Sequence, residues 1–436
     1  MATDINHIAM SAKEASIGMA ALGSKVKNDA LRFISEAMWR RRAEIAEANQ
    51  ADLAQAQKDD LNQALLKRLR FDEQKLKAAR DGVESLVKLD DPVGRTLEST
   101  ELDEGLELYK ITAPLGVLGI VFESRPDALV QISTLALKSG NAVLLKGGTE
   151  AARTNRILAE IIIEASLSAE LPKGWMALLE TRQEVKAMLA LDEYIDLIIP
   201  RGSNEFVRYI MDNTRISVLG HADGICHVYV DGSADIDMAV AIAVDSKCQY
   251  AAVCNAAETL LVDRGIAGEF LERVKREYDR AGVELRGDEQ VRGIIEVAAA
   301  GDEDWRCEYN DMILSIRMVN GIHEAIDHIN RFGSRHTDAI VTGDRDAARL
   351  FMERVDSANV FWNCSTRFSD GFRYGLGAEV GISTNKVHAR GPVGLDGLVI
   401  YKWQLIGQGQ TVAQYSGQGG KKFTHRKLEK NIESQL

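Results

Sequence analysis

No pair of cysteines in this chain stands close enough to suggest a bridge or a metal knuckle. The five occur at 226, 248, 254, 307 and 364, an odd number without a CxxC spacing, which argues against a disulfide framework or a zinc ribbon and fits a reducing compartment. Uninterrupted apolar runs of bilayer length are missing. The N-terminus lacks the apolar core of a secretory signal, and the stretch 24–58 mixes acids with bases, unlike a transit peptide, so the expectation is a soluble cytoplasmic protein. Positive charge is not in excess: 53 Lys and Arg against 65 Asp and Glu give a net charge of −12. That balance argues against nucleic acid or an anionic membrane as the main partner. Basic residues gather only at Arg40-Arg41-Arg42, at 367–390 and at 421–430, and the first and last of these read as solvated surface. Internal repeats and low-complexity linkers are absent.

What is present is enough apolar material, 45% of 436 residues, for two or three packed domains. Residues 24–90 carry Leu31, Ile34, Met38 and Ile45 at helical spacing, which predicts two or three helices. Leu102, Leu106, Leu108 and Ile111 suggest a hairpin turning at Asp103-Glu104-Gly105. Short apolar runs at 116–122, 142–146, 177–179, 195–199, 216–219 and 227–230 alternate with helical segments, the pattern of a doubly wound parallel α/β sheet. A second α/β set follows residue 254, with strands at 259–262, 313–319, 339–342 and 359–361 and helices near 266–281, 288–300, 321–332 and 344–355. The glycines of 375–381 do not follow a strand and open a helix, so they predict tight turns rather than a dinucleotide loop.

Between the two sets stands Cys254, flanked by small residues in Ala251-Ala252-Val253-Cys254-Asn255-Ala256-Ala257. Two readings are open for a lone thiol: a buried structural cysteine, or a nucleophile whose small neighbours leave room for a substrate and for backbone N–H donors to an oxyanion. The nucleophile is favoured by its surroundings, because domain junctions are common ligand sites.

Five further segments bear on this choice: Pro114-Leu115-Gly116-Val117-Leu118-Gly119-Ile120-Val121-Phe122-Glu123-Ser124-Arg125-Pro126; Gly140-Asn141-Ala142-Val143-Leu144-Leu145-Lys146-Gly147-Gly148; Ile199-Pro200-Arg201-Gly202; Cys254-Asn255; and Leu376-Gly377-Ala378-Glu379 with Lys386-Val387-His388-Ala389-Arg390-Gly391-Pro392. In this order, over nearly the whole chain, they resemble the aldehyde dehydrogenase superfamily, and within it the members that reduce an acyl phosphate. The resemblance implies an aldehyde-dehydrogenase-like α/β fold of two doubly wound parallel-sheet domains and a small oligomerisation element. It divides the chain into an NADP-binding domain (1–96 and 112–253), a catalytic domain (254–394) and an oligomerisation hairpin, strand and tail (97–111 and 395–436). The implied reaction is NADPH-dependent reduction of L-glutamyl 5-phosphate to the semialdehyde and phosphate through a thioester on Cys254, in proline biosynthesis. A separate glutamate 5-kinase would supply the acyl phosphate, and the protein would be a homo-oligomer.

Two departures from the superfamily pattern bear on the chemistry. Hydrolytic members supply an oxyanion-binding asparagine from the segment that reads Glu123-Ser124-Arg125 here, which leaves the Cys254 N–H and Arg125 as candidates, with a structural ion pair an equal alternative for Arg125. The glutamate that activates water in hydrolytic members is matched by Val218, 36 residues before Cys254, and valine cannot take a proton. Its absence favours reduction of the thioester over hydrolysis. For the coenzyme the resemblance points to Lys146, to Thr149 where NAD-using members often carry glutamate, and to Arg153 as a partner for a 2′-phosphate. The backbone of Arg201, Gly202 and Ser203 would face the pyrophosphate, Ser203 alternatively being an N-cap, and Glu308 would grip the nicotinamide ribose or be an exposed carboxylate. Arg367, Lys386, His388 and Arg390 are the candidates for the substrate's phosphate and carboxylate, the alternative being that some only stitch their loop to the sheet. His221, Cys226 and His227 show no zinc-type spacing, so no metal is expected. The rival functions are hydrolytic NAD(P)-dependent oxidation of a small acidic aldehyde and a non-enzymatic relative that keeps the fold.

Overall fold

The computed structural model describes residues 4–123, 125–220 and 223–432. A four-stranded parallel sheet runs in the order Met176–Leu178, Ala142–Lys146, Val117–Phe122, Leu197–Arg201. Its central strands are buried on both faces, which is why they read as continuous apolar runs. Along Val117–Phe122 the side chains alternate. Leu118, Ile120 and Phe122 pack with helices Ser24–Arg40, Glu73–Lys88, Pro126–Lys138 and Ala152–Leu167, whereas Val117 and Val121 pack with helices Ile5–Ala20, Arg182–Met188 and Asn204–Asp212.

The second sheet has seven parallel strands in the order Ala298–Ala299, Glu284–Gly287, Ile313–Val319, Ala257–Asp263, Cys226–Val230, Thr337–Val341, Asn359–Trp362. Helices Ile236–Cys248 and Ala267–Ala281 cover one face, and Ile322–Phe332 with Arg345–Arg354 cover the other. A third, antiparallel sheet joins the hairpin Thr96–Asp103 and Leu106–Pro114 to the strand Val399–Ile406 and, at its other edge, to Arg426–Leu428. Gly105, at φ +70, makes the hairpin turn where the sequence places it.

Several expectations need correction. The boundary drawn at 253/254 is too late: Cys226–Val230 pairs with Ala257–Asp263 and Thr337–Val341, so the chain passes to the second sheet between Val218 and Cys226. An apolar run shows that a strand is buried, not which sheet it joins. The expected strand at 216–219 is reduced to a single bridge from Val218 to Ile198. Residues 24–88 form four helices rather than two or three, and a further helix, Ile5–Ala20, precedes them, capped by Asp4 and burying Ala9, Ala12, Ala15 and Met19. Of the expected helix 288–300 only Glu289–Arg292 is helical, and Ala298–Ala299 forms an edge strand. Val380, Val393, Leu395 and Leu398 return to the first core, so 254–394 is not wholly part of the second unit. The 371–380 segment is turns, with Gly375 and Gly377 at positive φ.

Candidate active site

Cys254 lies half-buried in the turn between helix Ile236–Cys248 and strand Ala257–Asp263. Three contacts hold the turn. The buried Asn255 side chain donates to the Ser369 carbonyl at 2.7 Å, the Cys226 thiol donates to the Cys254 carbonyl at 3.1 Å, and Gly224 lies flat against the Cys254 backbone. A Cβ at 224 would stand 2.4 Å from the Cys254 carbonyl oxygen and 2.6 Å from a Glu308 carboxylate oxygen, so only glycine allows both groups to approach. Burial pushes the Cys226 thiol well above its ordinary range, which keeps it protonated as a donor.

Two arginines include Cys254 among the charges around them. Arg201 ends the strand Leu197–Arg201, and burial followed by the neighbouring Arg125 lowers its pKa, while Glu379, Cys254 and Asp127 oppose the shift. Arg367 sits in the short turn Thr366–Phe368 on the other unit, lowered by burial and by Arg373, with Cys254 opposing. The Arg367 Nε donates to Gln249 at 2.9 Å. Neither guanidinium forms an ion pair among the described residues, and an unpaired, desolvated cation calls for an anion. That the Arg201 side chain has the nucleophile among its surrounding charges is something the sequence did not suggest.

The other candidates fall into distinct places. Arg125 caps no hydrogen bond of its helix and pairs with Asp127 at 2.9 Å. Lys386 and Arg390 both bind the Asp356 carboxylate, at 2.9 and 3.1 Å, and the His388 ring bonds the Gly397 carbonyl at 2.8 Å. These three tie their loop to its surroundings, whereas Arg367 has Cys254 among the charges around it. Val218 packs in the first unit's apolar cluster and its carbonyl accepts from Asn385 at 2.8 Å.

Lys146, Thr149 and Arg153 share a cleft of about 1170 Å³ with apolar walls that include Leu61, Val121 and Phe206. Flat apolar walls beside cationic side chains suit an adenosine with an anionic group. Lys146 is buried and donates to the Gly147 carbonyl. Arg153 is countered by the buried Asp52, which accepts from its N–H and its Nη1, both at 3.3 Å. Ser203 is at the N-cap of helix Asn204–Asp212 but makes no side-chain cap bond, and its N–H goes to the Glu123 carboxylate. That helix start was expected to face a pyrophosphate, and here Glu123 holds it. Burial and Glu150 raise the pKa of Glu123. Gly202 gives Glu123 and Phe206 their room. Glu308 is not merely exposed: it accepts from the Asn204 side chain at 2.6 Å beside Gly224.

Asn204, Gly224, Gln249 and Glu379 belong to this site without a role read from the sequence. Only Glu379 lies in a segment that drew attention there, and its carboxylate accepts from the Gly371 N–H at 2.8 Å. His221 lies outside the described residues. His227 bonds Asp338 through Nδ1 at 2.8 Å, both buried.

The model of the aldehyde dehydrogenase family matches residues 1–300. A gamma-glutamyl phosphate reductase of Pelotomaculum thermopropionicum is 62% identical over 428 residues, 98% of either chain. The crystal structure of gamma-glutamyl phosphate reductase from Thermotoga maritima superposes with a TM-score of 0.92 at 38% identity, covering 94% of this chain and 100% of that one. An acetylating aldehyde dehydrogenase from Geobacillus thermoglucosidasius shares the fold at 18% identity, with a TM-score of 0.64 over 94% of this chain and 97% of that one.

Proposed function

Since this chain belongs to the aldehyde dehydrogenase family, and within it to the gamma-glutamyl phosphate reductases, it is an oxidoreductase served by a nicotinamide cofactor, and we propose that it reduces L-glutamyl 5-phosphate with NADPH to L-glutamate 5-semialdehyde and inorganic phosphate, a step of proline biosynthesis. The observation that carries the reading is the pair of guanidiniums, Arg201 from one unit and Arg367 from the other, that both count Cys254 among their surrounding charges and form no ion pair among the described residues.

In this reading the Cys254 thiolate attacks the acyl carbon. A sulfur–carbon bond forms, the bond from that carbon to the phosphate oxygen breaks, and the departing phosphate meets guanidinium rather than solvent. The Cys254 N–H serves the oxyanion. When bound, the nicotinamide supplies the hydride that turns the thioester into the aldehyde and frees the thiolate. Val218, where hydrolytic members carry a glutamate, is not a base that could activate water, and Glu308 and Glu379 are each engaged as acceptors. Lys146 and Thr149 would hold the adenosine ribose, Arg153 would stand beside a 2′-phosphate, and Glu308 would hold the nicotinamide ribose.

The partner is a second copy of this chain. Val399–Ile406 is the free edge of its sheet, and Trp403 and Leu405 on it are 52% and 56% exposed, an edge that natural proteins leave bare only when something pairs with it. NADPH consumption tests the function: with ATP, glutamate and an added glutamate 5-kinase to generate the acyl phosphate, consumption depends on both proteins. No consumption above the kinase-free control would contradict it.

A further inference from the structure

Four residues beyond the nucleophile, on strand Ala257–Asp263, Glu258 is fully buried and meets the Lys247 ammonium at 2.6 Å, Lys247 being fully buried as well. A buried ion pair is a weak source of stability, because desolvation of both charges offsets their attraction and apolar residues of the same volume do as well or better. Packing alone therefore gives no reason for the pair to be there, and nothing in the reaction as described uses it.

Its contacts lead back to Cys254. The second oxygen of Glu258 accepts the Asn310 N–H at 3.3 Å. Asn310 stands at φ +53, the left-handed region that asparagine tolerates better than other non-glycine residues, so the chain turns there. The preceding Tyr309 is anchored by its hydroxyl to Asp304 at 2.6 Å and Ser315 at 2.7 Å, with the Lys247 ammonium 6.0 Å and the Arg286 guanidinium 5.1 Å from its ring centre. One residue earlier, Glu308 reaches back to Asn204 and to Gly224 against the Cys254 backbone. The contacts close a ring: Cys254 to Glu258 along the strand, Glu258 to Asn310 across to the next, Glu308 back over Gly224 to Cys254.

We infer that the buried Lys247–Glu258 pair is a positioning device that fixes the Glu308 turn against the Cys254 turn, and so sets the affinity for the nicotinamide nucleotide. This rests on the reading of Glu308 as a ribose ligand. Burial holds the Glu258 carboxyl at about 7, the nearby Glu308 pushing in the same direction and Lys247 and the Asn310 N–H against it. The thiols of Cys226 and Cys307 also feel its charge, and both are raised by burial. Below that pH Glu258 takes a proton, Lys247 loses its counter-charge, and the grip on the Asn310 N–H slackens.

The test uses the full-length protein and NADPH as probe, with dissociation constants from coenzyme fluorescence at pH 6 and 8 and hydrogen exchange over 307–312. Glu258→Gln keeps the shape but strands the Lys247 charge, so Lys247→Met/Glu258→Gln is measured beside it. In both the dissociation constant at pH 8 rises about tenfold, the scale of one lost charge-assisted hydrogen bond, and exchange over 307–312 quickens. Wild type weakens more between pH 8 and pH 6 than either variant, the 2′-phosphate of the coenzyme titrating equally in all three. Folded variants that bind NADPH within about twofold of wild type, with the same pH ratio, would overturn the inference. So would failure of both to fold, which would make the pair structural. If wild type binds NADPH with the expected pH dependence yet does not act on glutamate semialdehyde and phosphate, the assigned function fails and the positioning role stands.

Discussion

At the scale of single residues the claim is that Cys254 is the nucleophile and that its turn tolerates little movement. Cys254→Ala removes turnover, by about 10³-fold or more, with the melting temperature kept. Cys248, which lies at the end of the preceding helix, changes little as Cys248→Ala. Gly224→Ala is the sharper test, since its new methyl would stand 2.4 Å from the Cys254 carbonyl oxygen. The backbone must shift, and kcat/KM falls about 10²-fold, as it does when a reacting group is misplaced by an ångström. The stability cost is about 1–3 kcal/mol, as for overpacking. Normal turnover in Gly224→Ala would show that the turn is not held as described. Coenzyme choice is tested at Thr149. A glutamate there adds a carboxylate to a cleft already lined by Asp52, Asp59, Glu123 and Glu150, and repulsion of a 2′-phosphate costs about 1–3 kcal/mol in a partly shielded site. The kcat/KM ratio of NADPH to NADH drops accordingly in Thr149→Glu, and an unchanged ratio would move recognition of the 2′-phosphate elsewhere. Legibility differed among these residues for a physical reason. Cys254 and Lys146 carry chemistry in their side chains, and sequence shows side chains. Gly224 matters because it has none, and Arg201 because its side chain is desolvated with Cys254 among its surrounding charges, whereas only its backbone was expected to serve the site. Neither fact has a signature along the chain.

At the scale of elements, the strand Val399–Ile406 carries the prediction about assembly. Its partner Leu106–Pro114 covers one side, from Val399 opposite Pro114 to Ile406 opposite Glu107, and the other side is open. Trp403→Arg sets like charges against each other across a two-fold interface and leaves the hairpin pairing intact, so sedimentation detects a smaller species with unchanged secondary structure. A monomeric wild type would contradict the assembly. The buried strands of both sheets were legible because strands covered on both faces are apolar without interruption. The hairpin at Gly105 was legible from its turn residues. Helix Ile5–Ala20 was not: it buries alanines and one methionine rather than large side chains, and its apolar stripe is correspondingly faint. The segment 288–300 misled because Val291, Ile294 and Ile295, spaced i, i+3, i+4, suit a helix, whereas the edge of the sheet claims Ala298–Ala299.

At the scale of the whole molecule, the cofactor cleft and Arg201 come from the unit of the four-stranded parallel sheet while Cys254, Arg367 and Glu308 come from the unit of the seven-stranded one. Asn204 and Glu308 join across that boundary at 2.6 Å. Sequence order alone hid this, because the chain crosses to the second sheet before it reaches the nucleophile, and the loop 380–398 then returns to the first core. The proposed mechanism has one consequence that separates it from a hydrolytic dehydrogenase: in it Arg201 and Arg367 receive the phosphate, and Val218 stands where a hydrolytic member has its base. In the reverse direction, therefore, phosphate must take the acyl group from Cys254. The decisive measurement is NADP-linked oxidation of L-glutamate 5-semialdehyde by the wild-type enzyme with and without phosphate, arsenate serving as its mimic. The account predicts steady NADPH formation that depends on either anion and is negligible in its absence; formation at a comparable rate in phosphate-free buffer would contradict it.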